Sequence, residues 1–363
     1  MVFLVLLLIP VLVSLVAWKI STKITTKELL LQFGVQFVVA VISAVTVYYQ
    51  DVADVEFLNG RLVKKEQDRV SCSHSYSCPP CTQTCDKDGK NCIETCSTCY
   101  DHDYDYNWNL YGSTGNVWTV PRIDRQGLRE PPRWTQAQIG DPTAETHNYT
   151  NYIKASPDSL FRRQGLIEKY KLTLPVHPEE IYDIHYINRL VLAGVSVPDA
   201  AQWNADLMEA NADLGAAKQV NMQVVLTNQT QEWVYALEEF WMGGKKNDVT
   251  LVIGLRGSEI QWATVMDWSD NKLFGVQTRD NIADLKVLDR DKVMKVLRAN
   301  VSAQFIRKPM HDFEYLEASI TPTTTQWVVS IIIGLIIAIG MSIWLHKEDV
   351  FGEEGGRFRR RYY

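Results

Sequence analysis

The sequence has no excess of positive charge, which argues against nucleic-acid binding. Its 363 residues include 37 Lys and Arg against 43 Asp and Glu, giving a formal net charge of −6. A protein that binds nucleic acid needs a basic surface to neutralise phosphates. The composition of a disordered chain is also absent, because 46% of the residues are hydrophobic and 22% are charged. We therefore expect a folded chain of about two domains with no nucleic-acid partner.

The sequence also lacks the short motifs of common catalytic sites. It contains no Gly-x-Ser-x-Gly, no His-Glu-x-x-His, no Gly-x-Gly-x-x-Gly and no Cys-x-x-Cys-His. The run Gly243-Gly244-Lys245-Lys246 has the composition of a phosphate loop. However, it follows a predicted helix and precedes a predicted strand, which is the reverse of the order in phosphate loops. The sequence does not favour an enzyme, although it leaves the question open.

Three long runs contain no charged residue, namely residues 2–18, 29–49 and 327–345. Each is close to the roughly 20 residues that a helix needs to cross about 30 Å of hydrocarbon. The sequence therefore predicts three transmembrane helices, of which the first two form a hairpin within residues 1–49. A cleaved signal peptide is the alternative for the first run, but no basic region precedes it and no small-residue cleavage site follows it.

The positions of Lys and Arg predict how the chain is oriented in the membrane. Lys19, Lys23 and Lys27 lie between the first two runs, and the tail 346–363 is rich in arginine. Because basic loops stay in the cytoplasm, both segments are expected on that side. The sequence thus predicts a multi-pass protein in the lipid bilayer with a cytoplasmic C-terminus and a large extracytoplasmic part.

Small residues recur every four positions in the third run, at Ser330, Gly334, Ala338 and Ser342. Such a stripe allows close helix packing, either on the N-terminal hairpin or on a second copy in a homo-oligomer. The alternative is that small residues are simply common in membrane helices. Gln32 and Gln36 in the second run are expected to bond between helices and not to line a pore, because few other polar residues accompany them.

All seven cysteines occur in one segment that is poor in other apolar residues. They are Cys72, Cys78, Cys81, Cys85, Cys92, Cys96 and Cys99. From Cys78 to Cys99 the intervals between them read the same in both directions. A segment with so little core needs cross-links or metal in order to hold a fold.

Disulfides and zinc both fit this segment, and redox catalysis fits less well. Disulfides suit an extracytoplasmic location, but an odd number leaves one thiol free or paired between chains. Zinc suits the two Cys-x-x-Cys pairs, and His74 raises the number of potential ligands to eight. A redox Cys-x-x-Cys should open a helix after an apolar strand, and Cys78 does neither.

A strict alternation follows the cysteines. His102, Tyr104, Tyr106, Trp108 and Leu110 alternate with Asp101, Asp103, Asp105, Asn107 and Asn109. A period of two predicts a strand with its aromatic face inward and its acidic face in solvent, followed by a return strand over 116–123. The acidic row could in principle bind calcium, but a solvated face is the favoured interpretation. Residues 50–134 are therefore predicted to form a Cys-rich module with a β-hairpin, and the proline-punctuated segment 135–186 a linker.

From about residue 190 the pattern predicts alternating helices and strands. Helical spacing covers 200–214, 230–242 and 289–306, and strand patterns cover 220–226, 249–255 and 260–267. The strand, helix and strand from 220 to 255 predict a parallel βαβ unit.

The residues of this region resemble the TPM-type domain. The resemblance lies in 221–226, in the run from Ala236 to Asp248, and in Asp312-Phe313-Glu314-Tyr315-Leu316. It covers 187–320 and implies a membrane-tethered, extracytoplasmic α/β domain of an assembly, maintenance or auxiliary factor. The chain as a whole is similar to membrane proteins of bacteria and phages. Weak phosphatase activity and calcium binding are attributed to some TPM members, but residues 262–269 depart from the family's glycine-rich stretch, so no active site is carried over.

The sequence predicts a membrane-anchored interaction or assembly protein whose partner is a membrane or envelope protein. The alternative is a weak metal-dependent phosphoester hydrolase that uses Asp248, Asp267 or Asp270 with a divalent cation.

Overall fold

The computed structural model describes residues 2–21, 23–85, 88, 92–157, 165–182, 184–186, 188–348 and 350. The chain forms two compact units, one of residues 1–54, 148–162 and 309–363 and the other of residues 55–147 and 163–308. The arginine-rich part of the predicted cytoplasmic tail, from residue 351 onward, lies outside the described residues.

The helices and strands have the following bounds. In chain order they are α1 (Val2–Ile20), α2 (Thr26–Val52), β1 (Ala53–Val70), β2 (Ser75–Cys85), β3 (Cys92–Tyr100), β4 (Asp105–Gly112), β5 (Val117–Val120), α3 (Pro132–Gln136), β6 (Pro142–Thr150), α4 (Tyr152–Ala155), α5 (Leu166–Tyr170), β7 (Ile181–Tyr182), β8 (His185–Tyr186), β9 (Leu190–Ala193), α6 (Ala200–Lys218), β10 (Asn221–Thr227), α7 (Trp233–Phe240), β11 (Asp248–Arg256), β12 (Glu259–Asp267), α8 (Lys272–Ala283), α9 (Arg290–Gln304) and α10 (Thr324–Glu348). A 3₁₀ helix, Met310–Ser319, precedes α10. The segment that the sequence predicts as a linker, 135–186, contains β6, α4, α5, β7 and β8.

Two helices of the first unit, α2 and α10, are long and apolar enough to cross a membrane. Among the residues that the structure describes, two helices meet this test and not three, so the prediction of three spans is corrected to two. In α1 the apolar stretch found among the described residues is Leu6–Ile20, which is shorter than those of α2 and α10. Only 22% of the apolar window of α2 and of α10 is buried, so neither is enclosed as the core helix of a soluble protein is.

Hydrogen bonds between side chains join α1, α2 and α10. The Nε2 atom of Gln32 donates to Ser342 Oγ at 2.9 Å, and that of Gln36 donates to Ser14 Oγ. Both glutamines are buried. They bond between helices, as expected from the scarcity of polar residues around them.

The small-residue stripe of α10 faces α1 and α2. Gly334, Ala338 and Ser342 are buried, whereas Ser330 is half-buried. A Cβ atom on Gly334 would lie 2.8 Å from Cγ of Pro10 in α1. The absence of a side chain at Gly334 thus allows α1 and α10 to approach closely.

The second unit contains a four-stranded mixed sheet in the order β12, β11, β10, β9. Strand β10 is parallel to both β9 and β11, and β12 is antiparallel to β11. The predicted α/β class is confirmed, and β10, α7 and β11 form the predicted parallel unit. Strand β9 and helix α8 were not predicted, since β9 has only four residues and α8 has a weakly apolar face.

Side chains on the two faces of this sheet pack against different helices. Met222, Val224 and Leu226 of β10 pack with α6, α8 and α9. Val225 points to the other face and packs with Trp233 of α7. The sheet is therefore buried on both sides, which explains why its central strands carry almost no charge.

A second four-stranded sheet has the order β5, β4, β1, β6. Strand β1 pairs antiparallel with β4, and β4 pairs antiparallel with β5. Trp108 and Leu110 of β4 and Leu62 of β1 form its core. The predicted return strand corresponds to β5, but β1 was missed because its second half is rich in charged residues.

Helix α6 packs directly on β1 at a glycine. A Cβ atom on Gly215 would lie 2.6 Å from Cβ and 2.7 Å from the carbonyl carbon of Asn59. No real side chain tolerates such distances, and the obstacle is partly backbone. Glycine is therefore required for α6 to lie against β1.

We predict that Gly215→Ala destabilises the second unit. In an ordinary helix this change would stabilise by about 1 kcal/mol, but the overpacking against Asn59 should cost roughly 1–3 kcal/mol. The measurement is the thermal unfolding midpoint of the protein in detergent. Gly34→Ala is the control, because no atom lies within 4 Å of a Cβ at that helical glycine. An unchanged or raised midpoint for Gly215→Ala would contradict the packing.

Candidate functional site

Strands β2 and β3 form a hairpin with three disulfides. They join Cys78 to Cys99, Cys81 to Cys96 and Cys85 to Cys92. The two inner pairs lie directly opposite each other in the antiparallel register, and the outer pair follows a register shift between Cys78 and Cys81. Among the seven cysteines, Cys72 alone is free.

The mirrored spacing of the cysteines accounts for this nested pattern. In an antiparallel hairpin, residues equally far from the turn face each other, so equal intervals on the two strands bring the cysteines together in pairs. Six of the eight predicted zinc ligands are thereby used in disulfides, and a cysteine binds zinc only as a thiolate. The two Cys-x-x-Cys pairs consequently offer no thiolates to zinc in this structure.

The hairpin has almost no buried side chains. Along β2 and β3 most residues are exposed, and Cys78 is the one that is buried. The exposed residues include Tyr76, Ile93 and Tyr100, with relative exposures of 52%, 72% and 57%. A two-stranded hairpin is marginally stable in water by itself, so the disulfides supply the constraint that a core would otherwise provide.

The free thiol lies at the base of the hairpin, beside a histidine and a carboxylate. The Sγ atom of Cys72 is 3.7 Å from Nδ1 of His102, and the same nitrogen is 3.2 Å from Oδ1 of Asp105. Cys72 is 6% exposed and Asp105 is fully buried. His74 contributes its backbone carbonyl, 3.6 Å from the Cys72 sulfur, and its ring is not a member of this group. We refer to Cys72, His102 and Asp105 as the base cluster.

Asp105 is held by hydrogen bonds from three groups. Its Oδ2 atom accepts from Nη1 of Arg122 at 2.6 Å, from Ser73 N at 3.0 Å and from Ser73 Oγ at 3.3 Å. Burial alone would raise the pKa of Asp105, but the Ser73 N–H and the Arg122 guanidinium outweigh burial and lower it. The expectation that the whole acidic row is a solvated face is therefore wrong at Asp105, which is buried as an ion paired with Arg122.

A second buried polar network lies where β10 and β11 begin. The carboxylate of Asp248 accepts from Asn221 Nδ2 at 2.6 Å and from Lys245 N at 2.8 Å. Its Oδ2 atom is 2.7 Å from Nε2 of His177. Burial would raise the pKa of Asp248, but the neighbouring His177 and these hydrogen bonds lower it.

The Gly243–Lys246 loop serves the same network. Lys245 donates its amide to Asp248, and Lys246 Nζ lies 3.1 Å from a carboxylate oxygen of the buried Glu56. A Cβ on Gly244 would lie 2.9 Å from Asp248 Oδ2. The amide and ammonium groups that suggested a phosphate loop therefore face carboxylates of this chain.

Asp267 lies apart from this network, at the end of β12. Burial raises its pKa, partly offset by the Ser269 N–H and by Lys272. It lines a polar groove of about 280 Å³ between β12 and α8, together with Lys272 and Arg279. Asp270 is exposed, with its carboxylate 3.7 Å from Lys308 Nζ.

The three carboxylates considered for metal-dependent hydrolysis are not gathered together. Within the described ranges, two groups of at least three His, Cys, Asp or Glu residues bring their ligand atoms within 4.8 Å, and neither contains Asp248, Asp267 or Asp270. One is the base cluster. The other is Cys81, Glu94 and Cys96, of which both sulfurs belong to a disulfide.

Comparison of the chain with protein-family models, with curated proteins and with solved structures finds no match. The resemblance to the TPM-type domain therefore stays a prediction.

We predict that acid destabilises the second unit through Asp248. Because its folded-state pKa lies below the ordinary value of 3.8, its contribution to the free energy of unfolding is complete above about pH 4 and is lost as the pH falls through the folded-state pKa. Asp248→Asn replaces an acceptor by an amide that faces other donors, and should cost roughly 1–3 kcal/mol at pH 7.

Thermal midpoints measured between pH 3 and pH 7 check this prediction. The thermal midpoint of Asp248→Asn should be lower than that of the wild type at pH 7. It should also fall less as the pH is lowered. The exposed Asp270→Asn is the control and should leave both the midpoint and its pH dependence near those of the wild type. Equal profiles for Asp248→Asn and the wild type would rule out the proposed role of the network.

Proposed function

We propose that this protein is a membrane-anchored interaction or assembly protein, which presents its disulfide-braced hairpin outside the cytoplasm to a protein partner in the membrane or envelope. It acts by holding a fixed exposed surface, and not by a chemical step.

The proposed location combines the apolar helices with the cysteine chemistry. Helices α2 and α10 flank residues 53–323 in the chain, so two spans put this whole segment on one side of the membrane, as three spans would. Disulfides persist in oxidising compartments and are rare in the cytosol. Lys19 at the end of α1, Lys23 in the loop and Lys27 at the start of α2 favour a cytoplasmic position for this connection. The disulfides and the positions of the lysines both support an extracytoplasmic location for the second unit.

The single observation that carries the proposal is a hairpin that is exposed yet covalently rigid. Three disulfides hold two strands that bury almost nothing in this chain. A rigid segment loses little conformational entropy on binding, so preorganisation strengthens its association with a partner.

The chemistry of the exposed hairpin surface fits a protein partner. Tyr76, Tyr100 and Ile93 combine aromatic and aliphatic area, and aromatic residues are enriched in protein interfaces. Strands β2 and β3 form a sheet of two strands alone, so the hairpin can also accept an added strand from the partner.

We predict that a photo-crosslinking residue at Ile93 captures a discrete partner in native membranes. Leu172, fully exposed on the same unit, is the control position and should give no such product. Opening the innermost disulfide with Cys85→Ser and Cys92→Ser should reduce capture at Ile93 about tenfold or more, because a flexible loop must be ordered on binding.

Equal capture at Leu172, or capture that persists after the disulfide is opened, would contradict the proposal. Hydrolysis of phosphoesters by the purified protein, dependent on a divalent cation and lost in Asp267→Asn, would favour the enzyme instead.

A further inference from the structure

We propose that Cys72, His102 and Asp105 bind one zinc ion at the base of the hairpin. This site differs from the one that cysteine spacing suggests, because it uses none of the disulfide cysteines and not the ring of His74. It does not depend on the proposed interaction function.

Two of the distances between the ligand atoms are close to those of a tetrahedral zinc site. With Zn–S near 2.3 Å and Zn–N or Zn–O near 2.0–2.1 Å, tetrahedral ligands lie about 3.3–3.6 Å from one another. The Cys72 sulfur is 3.7 Å from His102 Nδ1, and that nitrogen is 3.2 Å from Asp105 Oδ1. All three ligand atoms lie within 4.8 Å of each other. Small movements suffice to place an ion among them.

The same geometry argues against a cysteine nucleophile. In a Cys-His-Asp relay the thiol and the carboxylate contact opposite nitrogens of the imidazole. The thiol gives its proton to one nitrogen, and the carboxylate orients the ring through the other. Here sulfur and carboxylate both face Nδ1. One nitrogen cannot donate a single proton well to both, whereas a cation between them satisfies all three atoms.

The hydrogen bonds that Asp105 accepts orient its Oδ1 atom so that it can bind a metal ion. Arg122 and Ser73 hold Oδ2, which leaves Oδ1 directed at His102. Ligating carboxylates in metal sites are oriented by such hydrogen bonds. The charge of Arg122 is paired with Oδ2, so a Cys72 thiolate and the Asp105 carboxylate still offer two negative charges to a divalent ion.

The donor set selects the metal. A thiolate, an imidazole and one carboxylate suit zinc, whereas calcium and magnesium prefer oxygen ligands alone. Zinc binding displaces the proton of the Cys72 thiol. A fourth position is left for water, and the side chain of His102 is 25% exposed, so the cluster is accessible.

The position of the cluster gives the ion a structural role. Cys72 lies between β1 and β2, and His102 lies between β3 and β4. A zinc ion would therefore connect the two ends of the hairpin to the start of β4. Its ligands lie outside the loop that the Cys78–Cys99 disulfide closes. The three disulfides fix the hairpin itself, and the ion would fix its attachment to the sheet.

Zinc content of the full-length chain tests this site. The protein is purified in detergent without reductant, so that its disulfides stay intact, and is equilibrated with buffered micromolar Zn²⁺. We expect one zinc per chain, with affinity reduced at least about tenfold in Cys72→Ser and in His102→Ala. His74→Ala, which removes a nearby ring outside the cluster, is the matched control and should retain the wild-type affinity.

Cobalt substitution keeps the test decisive if these variants fail to fold. Co²⁺ bound to the wild-type protein should show thiolate-to-metal charge-transfer absorption, which a site made of carboxylates and imidazoles alone does not give. A wild-type chain that binds no stoichiometric zinc and shows no such absorption would overturn the proposal. So would equal loss of zinc in His74→Ala and His102→Ala.

Discussion

The hairpin formed by β2 and β3 has no hydrophobic core, and the structure of this region depends on the three disulfides that replace one. Each disulfide removes freedom from the unfolded chain, and its effect grows slowly with the length of the loop that it closes. The loops are nested, with sequence separations of 21, 15 and 7 residues. The hairpin can thus expose apolar and aromatic side chains at fixed positions without burying them in its own chain.

This dependence on disulfides links the fold to the side of the membrane. A cytosolic environment would reduce the three disulfides to thiols, and the hairpin would then lose its main source of order. The lysines near the start of α2 favour the same side by the positive-inside rule, which is independent of the cysteine chemistry. The polar network around Asp248 and the core of the mixed sheet belong to the same unit as the hairpin.

Much of this architecture could be predicted from residue patterns that local chemistry determines. The uncharged run of β11 predicted a strand buried on both faces, and mirrored cysteine spacing is what a hairpin of disulfides requires. The base cluster could not be predicted, because the choice of His102 and not His74 beside Cys72 depends on how β3 returns to β4. Asp105 was expected in solvent, since its pairing with Arg122 depends on the tertiary fold. Three apolar runs predicted three spans, whereas among the described residues two helices, α2 and α10, are long and apolar enough to cross a membrane.

The most direct test of the account is labelling of thiols on intact cells with a membrane-impermeant reagent. The account predicts almost no labelling of the native protein, since six cysteines are oxidised and Cys72 is buried. After mild reduction, labelling should become strong without any permeabilisation of the membrane. Labelling that needs no reductant, or that appears only after the membrane is opened, would contradict a disulfide-braced hairpin outside the cytoplasm.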